Sequence, residues 1–136
     1  TRLGAGPARF SVPRGESDAI LIEAEKAPNA AGCRALGMLE SGDQVGRAEL
    51  AIVLGHTTTA EVFGDVKNIV LIDTHESALS VRATVSLPVR TFLEKSGTFT
   101  NSRGHVQAFN AVVEPAFEAW SEADALAQIA AAAGIS

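Results

Sequence analysis

Leu50-Ala51-Ile52-Val53-Leu54-Gly55-His56 and, a dozen residues on, Ile69-Val70-Leu71-Ile72-Asp73-Thr74-His75 decide the fold. Each is a short apolar run rich in β-branched residues, without the alternation of a half-exposed strand. That is how strands buried on both faces of a parallel sheet read. The stretch between them, Thr58 to Phe63, has room for a short crossover helix. A third strand is expected from Thr84 to Leu87, stopped by Pro88. Parallel strands joined by crossovers predict an α/β fold with a doubly wound, mainly parallel, Rossmann-like sheet.

Working outward, residues 1–17 hold two prolines and three glycines and read as a loop or a broken-off connection. Asp18 is placed to cap a short helix carrying Ile20, Leu21 and Ala24, ended by Pro28-Asn29. A second short helix is expected from Ala31 to Leu39, closed near Ser41-Gly42. Beyond Pro88 the chain changes character. Phe92 to Lys95 reads as a short helix or turn, and Gly97 as a sharp change of direction. Thr98-Phe99-Thr100 and Val106 to Phe109 read as strand pieces around an Asn101-Ser102-Arg103-Gly104 turn. Ser121 is then expected to cap a C-terminal helix in a capping box with Asp124, burying Leu126, Ile129 and Ala130. The expected organisation is a leading connection over 1–17, an α/β core over 18–88, and a turn-rich β segment with a terminal helix, 89–136, packed on the same domain.

Composition narrows the function. The chain has 136 residues, 46% hydrophobic and 20% charged, with net charge -5. Its 11 basic residues are dispersed, whereas a nucleic-acid backbone is gripped by clustered ones, so no nucleic-acid partner is expected. No apolar stretch reaches the ~18 residues of a membrane span, and the first residues lack the apolar segment of a secretory signal. Without a starting Met, the chain reads as a fragment of a longer protein. The single cysteine, Cys33, provides no disulfide framework and no all-cysteine iron–sulfur site, a pattern that suits the cytoplasm.

Candidate chemistry gathers in two places. The strand ends Gly55-His56 and Asp73-Thr74-His75 fall at the carboxyl edge of the expected sheet, where α/β folds bind ligands. Asp73 there has the chemistry to accept hydrogen bonds from a ribose or a guanine edge, and is equally readable as a solvated loop acid. The richest stretch runs from Leu87 to Phe109 and packs Glu94, Gly97, Thr98, Asn101, Arg103, Gly104 and Gln107 together. Glycines let backbone approach a ligand, and Asn, Gln and Arg offer directional donors. His56, His75 and His105 have no metal-ligand spacing, so no metal site is expected. No nucleophile elbow surrounds Asp73-Thr74-His75-Glu76, and no catalytic residue is assigned.

Leu87-Pro88, Glu94, Gly97-Thr98-Phe99-Thr100-Asn101, Arg103-Gly104 and Val106-Gln107, followed by Glu114-Pro115, resemble a motif of the molybdopterin oxidoreductase family. Glu23 to Asn29, Gly32 and Leu36-Gly37 resemble a stretch found within it in the G-type subunit of bacterial NADH-quinone oxidoreductases. The resemblance covers about residues 18–134. It implies an electron-transfer subunit, with the family's cofactor neighbourhood at Gly55, Asp73, Glu94, Gly97, Thr98, Asn101 and Gln107 if that site is retained. Thr84 stands where the family carries Asp, Arg103 where it carries Glu, and His105 where it carries Arg. Lost acids imply a cofactor role that has decayed, as suits the G-type subunit. The expectation is therefore a structural C-terminal fragment with no redox centre and no cofactor of its own. Its parent would hold iron–sulfur clusters, molybdopterin guanine dinucleotide being the further cofactor the family implies. The partners implied are the remaining domains of the same polypeptide and other components of a respiratory complex, on the cytoplasmic side of a membrane. The alternative is the cofactor-cradling part of a molybdenum enzyme such as formate dehydrogenase.

Overall fold

The computed structural model describes residues 6, 8–40, 45, 48–55 and 59–135. The chain divides into two compact units, one from residues 3–42 and 97–109 and the other from 43–96 and 110–136.

The second unit contains the parallel sheet. Strands β3 (Leu50–Leu54), β4 (Asn68–Asp73) and β5 (Val85–Pro88) lie in that order, with β4 in the middle and both pairings parallel. Ile69, Leu71 and Ile72 of β4 are fully buried, which stabilises the unit by ~1.5–3 kcal/mol per side chain. One face carries Ala51, Ile69 and Leu71 against Phe63, Val66 and Leu79. Phe63 ends a 3₁₀ segment, Ala60–Phe63, and Leu79 belongs to α2 (Ala78–Arg82). Ile72, on the other face, packs with Val89 and Ala125, flanked by Val70, Leu87 and Ile129. Ala125 and Ile129 come from α3 (Glu122–Ala132). The central strand β4 is thus covered on both faces, the layering of an α/β fold.

Several expectations change here. The short crossover helix expected between β3 and β4 is present as a 3₁₀ helix, and Arg82 fastens it by donating to the carbonyl oxygens of Ala60, Gly64 and Val66. α2 has no counterpart among the expected elements; it begins after Ser77, where Ser80 Oγ accepts the Ser77 N–H at 2.9 Å. Only β4 is buried on both faces. In β3, Ala51 is buried while Leu50, Ile52 and Leu54 are exposed, because β3 pairs with β4 alone among the described residues. The third strand starts at Val85. Thr84 instead ties the strand entrance to β4, its N–H donating to Ile69 O at 2.8 Å and its Oγ1 accepting from Ile69 N at 3.2 Å. The capping box at Ser121 and Asp124 forms as expected. Its helix, however, buries Ala125, with Ile129 one turn on packed beside it, while Leu126 is turned ~100° away and exposed.

The first unit holds β1 (Arg9–Phe10) paired in parallel with β2 (Leu39–Glu40), a short helix α1 (Ala30–Ala35), and the antiparallel hairpin β6 (Gly97–Thr100) and β7 (Val106–Phe109). The helix expected after Asp18 is absent. Residues 13–26 form an arch instead, closed by an antiparallel bridge between Arg14 and Glu25 and by Lys26 N–H to Pro13 O. At its tip, Asp18 Oδ1 accepts from the N–H groups of Ile20, Leu21 and Ile22 at 2.7–2.8 Å. One carboxylate taking three donors fixes a loop, which is the competition that makes Asp a poor helix former. Pro28-Asn29 opens α1 rather than ending a helix. That helix stops at Leu36 rather than Leu39, because Gly37 takes φ +72°, a left-handed position that glycine occupies freely. The expected closure at Ser41-Gly42 lies outside the described residues.

Candidate functional site

At the carboxyl edge of the sheet, Gly55 leaves β3 with φ +86°, its N–H donating to Ile72 O at 2.9 Å, and a side chain there would meet open space. Asp73 ends β4. Its side chain is buried, Oδ1 accepts the Thr74 N–H at 2.6 Å, and its carbonyl accepts the Val89 N–H at 3.1 Å. Thr74 Oγ1 lies 2.7 Å from His75 Nδ1. The topology thus brings Gly55 and Asp73 to the same sheet edge. His56 lies outside the described residues.

Glu94 belongs to this unit but serves a different purpose. Its Oε2 accepts from both the N–H and the hydroxyl of Thr91, at 2.8 and 3.0 Å, and its Oε1 accepts the Ala116 N–H at 3.3 Å. The Thr91 N–H, then the Thr91 hydroxyl, hold its carboxyl below the usual carboxylate range. The neighbouring contacts strap the segment before α3 in the same way. Leu93 O accepts from Val112 and Val113, Arg90 Nε donates to Ala119 O at 2.7 Å, and Lys95 pairs with Glu122.

Gly97, Thr98, Asn101 and Gln107 all lie in the first unit, on the hairpin. Gly97 answers to neither a positive φ nor a close approach to backbone, the two usual reasons for a glycine at a change of direction. A Cβ built on it would stand 2.9 Å from Phe109 Cζ, and that ring stacks on Phe99 with centroids 5.0 Å apart. Asn101 governs the turn: its Oδ1 accepts the N–H groups of Arg103 and His105, each at 3.0 Å, and its Nδ2 donates to Gln107 Oε1 at 3.3 Å. Thr98 is exposed. Asn101 and Gln107 share one wall of an open cleft of about 800 Å³ with Phe99, and the opposite wall includes Glu25, Pro28 and Arg34.

That opposite wall is one the sequence does not announce. Arg34 grips Glu25 through both oxygens, at 3.1 and 2.7 Å, and reaches Glu40 at 2.9 Å, while Arg14 holds the other Glu40 oxygen. The Arg34 guanidinium pulls both carboxyls below their ordinary range, and they push its own proton affinity up. Asn29 Oδ1 accepts the Thr100 N–H at 2.8 Å and so joins α1 to the hairpin. Partners this distant along the chain carry no local signal.

The family's cofactor calls for side chains with free hydrogen-bonding capacity aimed at a ligand. Asp73 and the Gly55 backbone suit that neighbourhood by position, at the carboxyl edge of the sheet where α/β folds bind ligands. Glu94 and Gly97 do not, being engaged by the Thr91 turn and the Phe109 ring, and Asn101 spends its carbonyl on its own turn. The donor set as a whole does not fit a cradle, and no chemical step follows from it. Among the described residues, no group of three or more His, Cys, Asp or Glu could hold a metal ion, and no helix is long and apolar enough to cross a membrane.

A parallel three-stranded sheet covered by helices, in a chain that also carries a hairpin of Gly97–Thr100 and Val106–Phe109 turned at Asn101, defines the class: an α/β protein. The chain belongs to the molybdopterin oxidoreductase family, whose model matches residues 32–132. No curated protein and no solved structure matches it.

Proposed function

We propose that this chain is the fold-bearing C-terminal part of an electron-transfer subunit, of the G type found in NADH-quinone oxidoreductase, contributing structure and interfaces but no redox centre. The observation that carries this reading is where the motif side chains spend their hydrogen bonds. Glu94 closes the Thr91 turn and receives Ala116, and Asn101 closes the hairpin turn. These residues hold the chain to itself. Iron–sulfur clusters then belong to the remaining domains of the parent polypeptide, which with other components of a respiratory complex are this chain's partners on the cytoplasmic side.

A second reading, the cofactor-cradling part of a molybdenum enzyme, draws support from Gly55 and Asp73 at the sheet edge. When bound, the pterin cofactor would supply the metal's redox chemistry, with Asp73 accepting hydrogen bonds from it. Isothermal titration of the chain with GDP and with extracted pterin–guanine dinucleotide separates the two. The structural reading expects weak binding or none, because a half-site with few free donors must overcome an association cost of ~4–15 kcal/mol. A dissociation constant tighter than about 10 μM, lost in Asp73→Asn, overturns it in favour of the molybdenum enzyme.

A further inference from the structure

We propose that the arch of residues 13–26 is a rigid lever that sets the width of the cleft, latched in place by the Arg34 ion pairs and released by salt. The arch is braced from within. Its legs are joined by the bridge between Arg14 and Glu25, by Gly15 N–H to Ala24 O at 2.9 Å, and by Lys26 N–H to Pro13 O at 2.8 Å. Asp18 Oδ1 fixes the tip by accepting the N–H groups of Ile20, Leu21 and Ile22. Lys26 spans the interior, its Nζ donating to Glu16 O at 2.9 Å and to Glu23 O. Gly15 makes room for that side chain, since a Cβ there would stand 2.9 Å from Lys26 Cε. A segment tied to itself in this way moves as one body.

Its attachment to the rest of the unit is of another kind. None of residues 13–26 is buried. Among the described residues, the hydrogen bonds that leave the arch are those of Arg14 to Glu40 and of Glu25 to Arg34. Arg34 also holds Glu40 at 2.9 Å and lies over the Phe10 ring, so the receiving side of the latch is anchored on α1, β1 and β2. The four latch side chains are 27–60% exposed. Ion pairs this open to water are individually weak and are screened by salt. The wall of the cleft that includes Glu23, Glu25 and Lys26 belongs to the arch. The facing wall, on the hairpin, is tied to α1 independently, through Asn29 Oδ1 and the Thr100 N–H. Parting the ion pairs therefore frees one wall and leaves the other where it is.

The test is a distance across the cleft in the 136-residue chain. Spin labels on Leu21→Cys at the arch tip and Ser102→Cys at the hairpin turn, with Cys33→Ser so that no third site is labelled, report it by double electron–electron resonance. At low salt the distribution should be narrow. In ~1 M salt, where charges are screened within ~3 Å, it should broaden and lengthen by several ångström, and Arg34→Gln should do the same at low salt. Amide exchange of Ile20 to Ile22, bound by Asp18, and of Thr100, bound by Asn29, should stay unchanged in both conditions. Salt acts on a chain with its arginine intact, so that arm decides even where Arg34→Gln disturbs α1. A distribution that salt leaves unaltered overturns the proposal. So does one that broadens only as the amides of Ile20 to Ile22 lose protection, because the arch would then be melting and not swinging.

Discussion

Replacing Gly97 with Ala tests how the hairpin is packed. The added Cβ would stand 2.9 Å from Phe109 Cζ and 3.0 Å from Cε1, whereas carbon atoms settle at ~3.5–4.0 Å. The Phe109 ring must therefore withdraw by roughly 0.6 Å, and it cannot do so without disturbing its stack on Phe99. Overpacking of this kind costs ~1–3 kcal/mol. Restricting the unfolded chain returns ~0.4–1 kcal/mol, since this glycine's φ is one that Ala adopts. The expected net loss is ~0.5–2 kcal/mol. Phe109→Leu removes the obstructing ring, so on that background Gly97→Ala should be neutral or mildly stabilising. Native-state hydrogen exchange at Thr98, Phe99, Gln107 and Ala108 reads the loss in the unit that contains it. An unchanged or raised exchange free energy in Gly97→Ala, or effects of the two substitutions that simply add, would refute the reasoning.

Two further outcomes follow from hydrogen bonds at other points of the chain. Ser121→Ala removes the oxygen that accepts the Asp124 N–H at 3.2 Å and should destabilise α3 by about 1 kcal/mol, lowering the urea midpoint reported by Trp120 fluorescence. The arch has a pH signature of defined sign. The folded-state pKa values of Glu25 and Glu40 lie below 4.5, first through their hydrogen bonds to Arg34. Their contribution to stability is therefore full above their unfolded pKa and is lost as pH falls through the folded values. Acid titration of the chain should show this loss, and Arg34→Gln should flatten it; an unaltered titration in that variant would remove the ion pairs from the account.

How much of the fold is legible in the sequence depends on the reach of each signal. The strands β3 and β4 are legible because each is a short apolar run that ends in polar residues, β5 because Pro88 marks its end, and the α3 cap because Ser121 and Asp124 are three residues apart. The Asp18 segment reads as a helix and folds as a loop, since an N-cap and a loop-closing Asx arrangement begin from the same side chain. They differ only in what Ile20 to Ile22 do next. α2 escapes notice because Ala78–Arg82 is too short to show a period. β3 reads as covered on both faces, yet apolarity in a strand does not say whether a neighbour arrives to cover it. In the candidate site, Glu94, Gly97, Asn101 and Gln107 fall within one segment of sequence. Nothing in that segment distributes them, because Glu94 finds its partners at Thr91 and Ala116 whereas Gln107 meets Asn101 across a turn. The Arg34 wall of the cleft depends on pairs 6, 9 and 26 residues apart, outside the i, i+3 and i, i+4 spacings that a helix makes legible.

The order in which the two units are threaded constrains how the chain is made. One unit needs residues 3–42 and then 97–109, and the other needs 43–96 and then 110–136, so each is interrupted by part of the other. Synthesis from the N-terminus completes domains as their residues emerge. Here the arch and α1 must wait, without their hairpin, until the whole sheet has been made, and the sheet must wait for α3 at the end. A ribosome stalled near residue 90 would release a chain with β3, β4 and β5 present and neither unit finished. The exposed Leu50, Ile52 and Leu54 would then have company in Ile72 and Val70, still uncovered by Ala125 and Ile129. Premature termination should therefore yield aggregation-prone chains in place of a stable half-molecule.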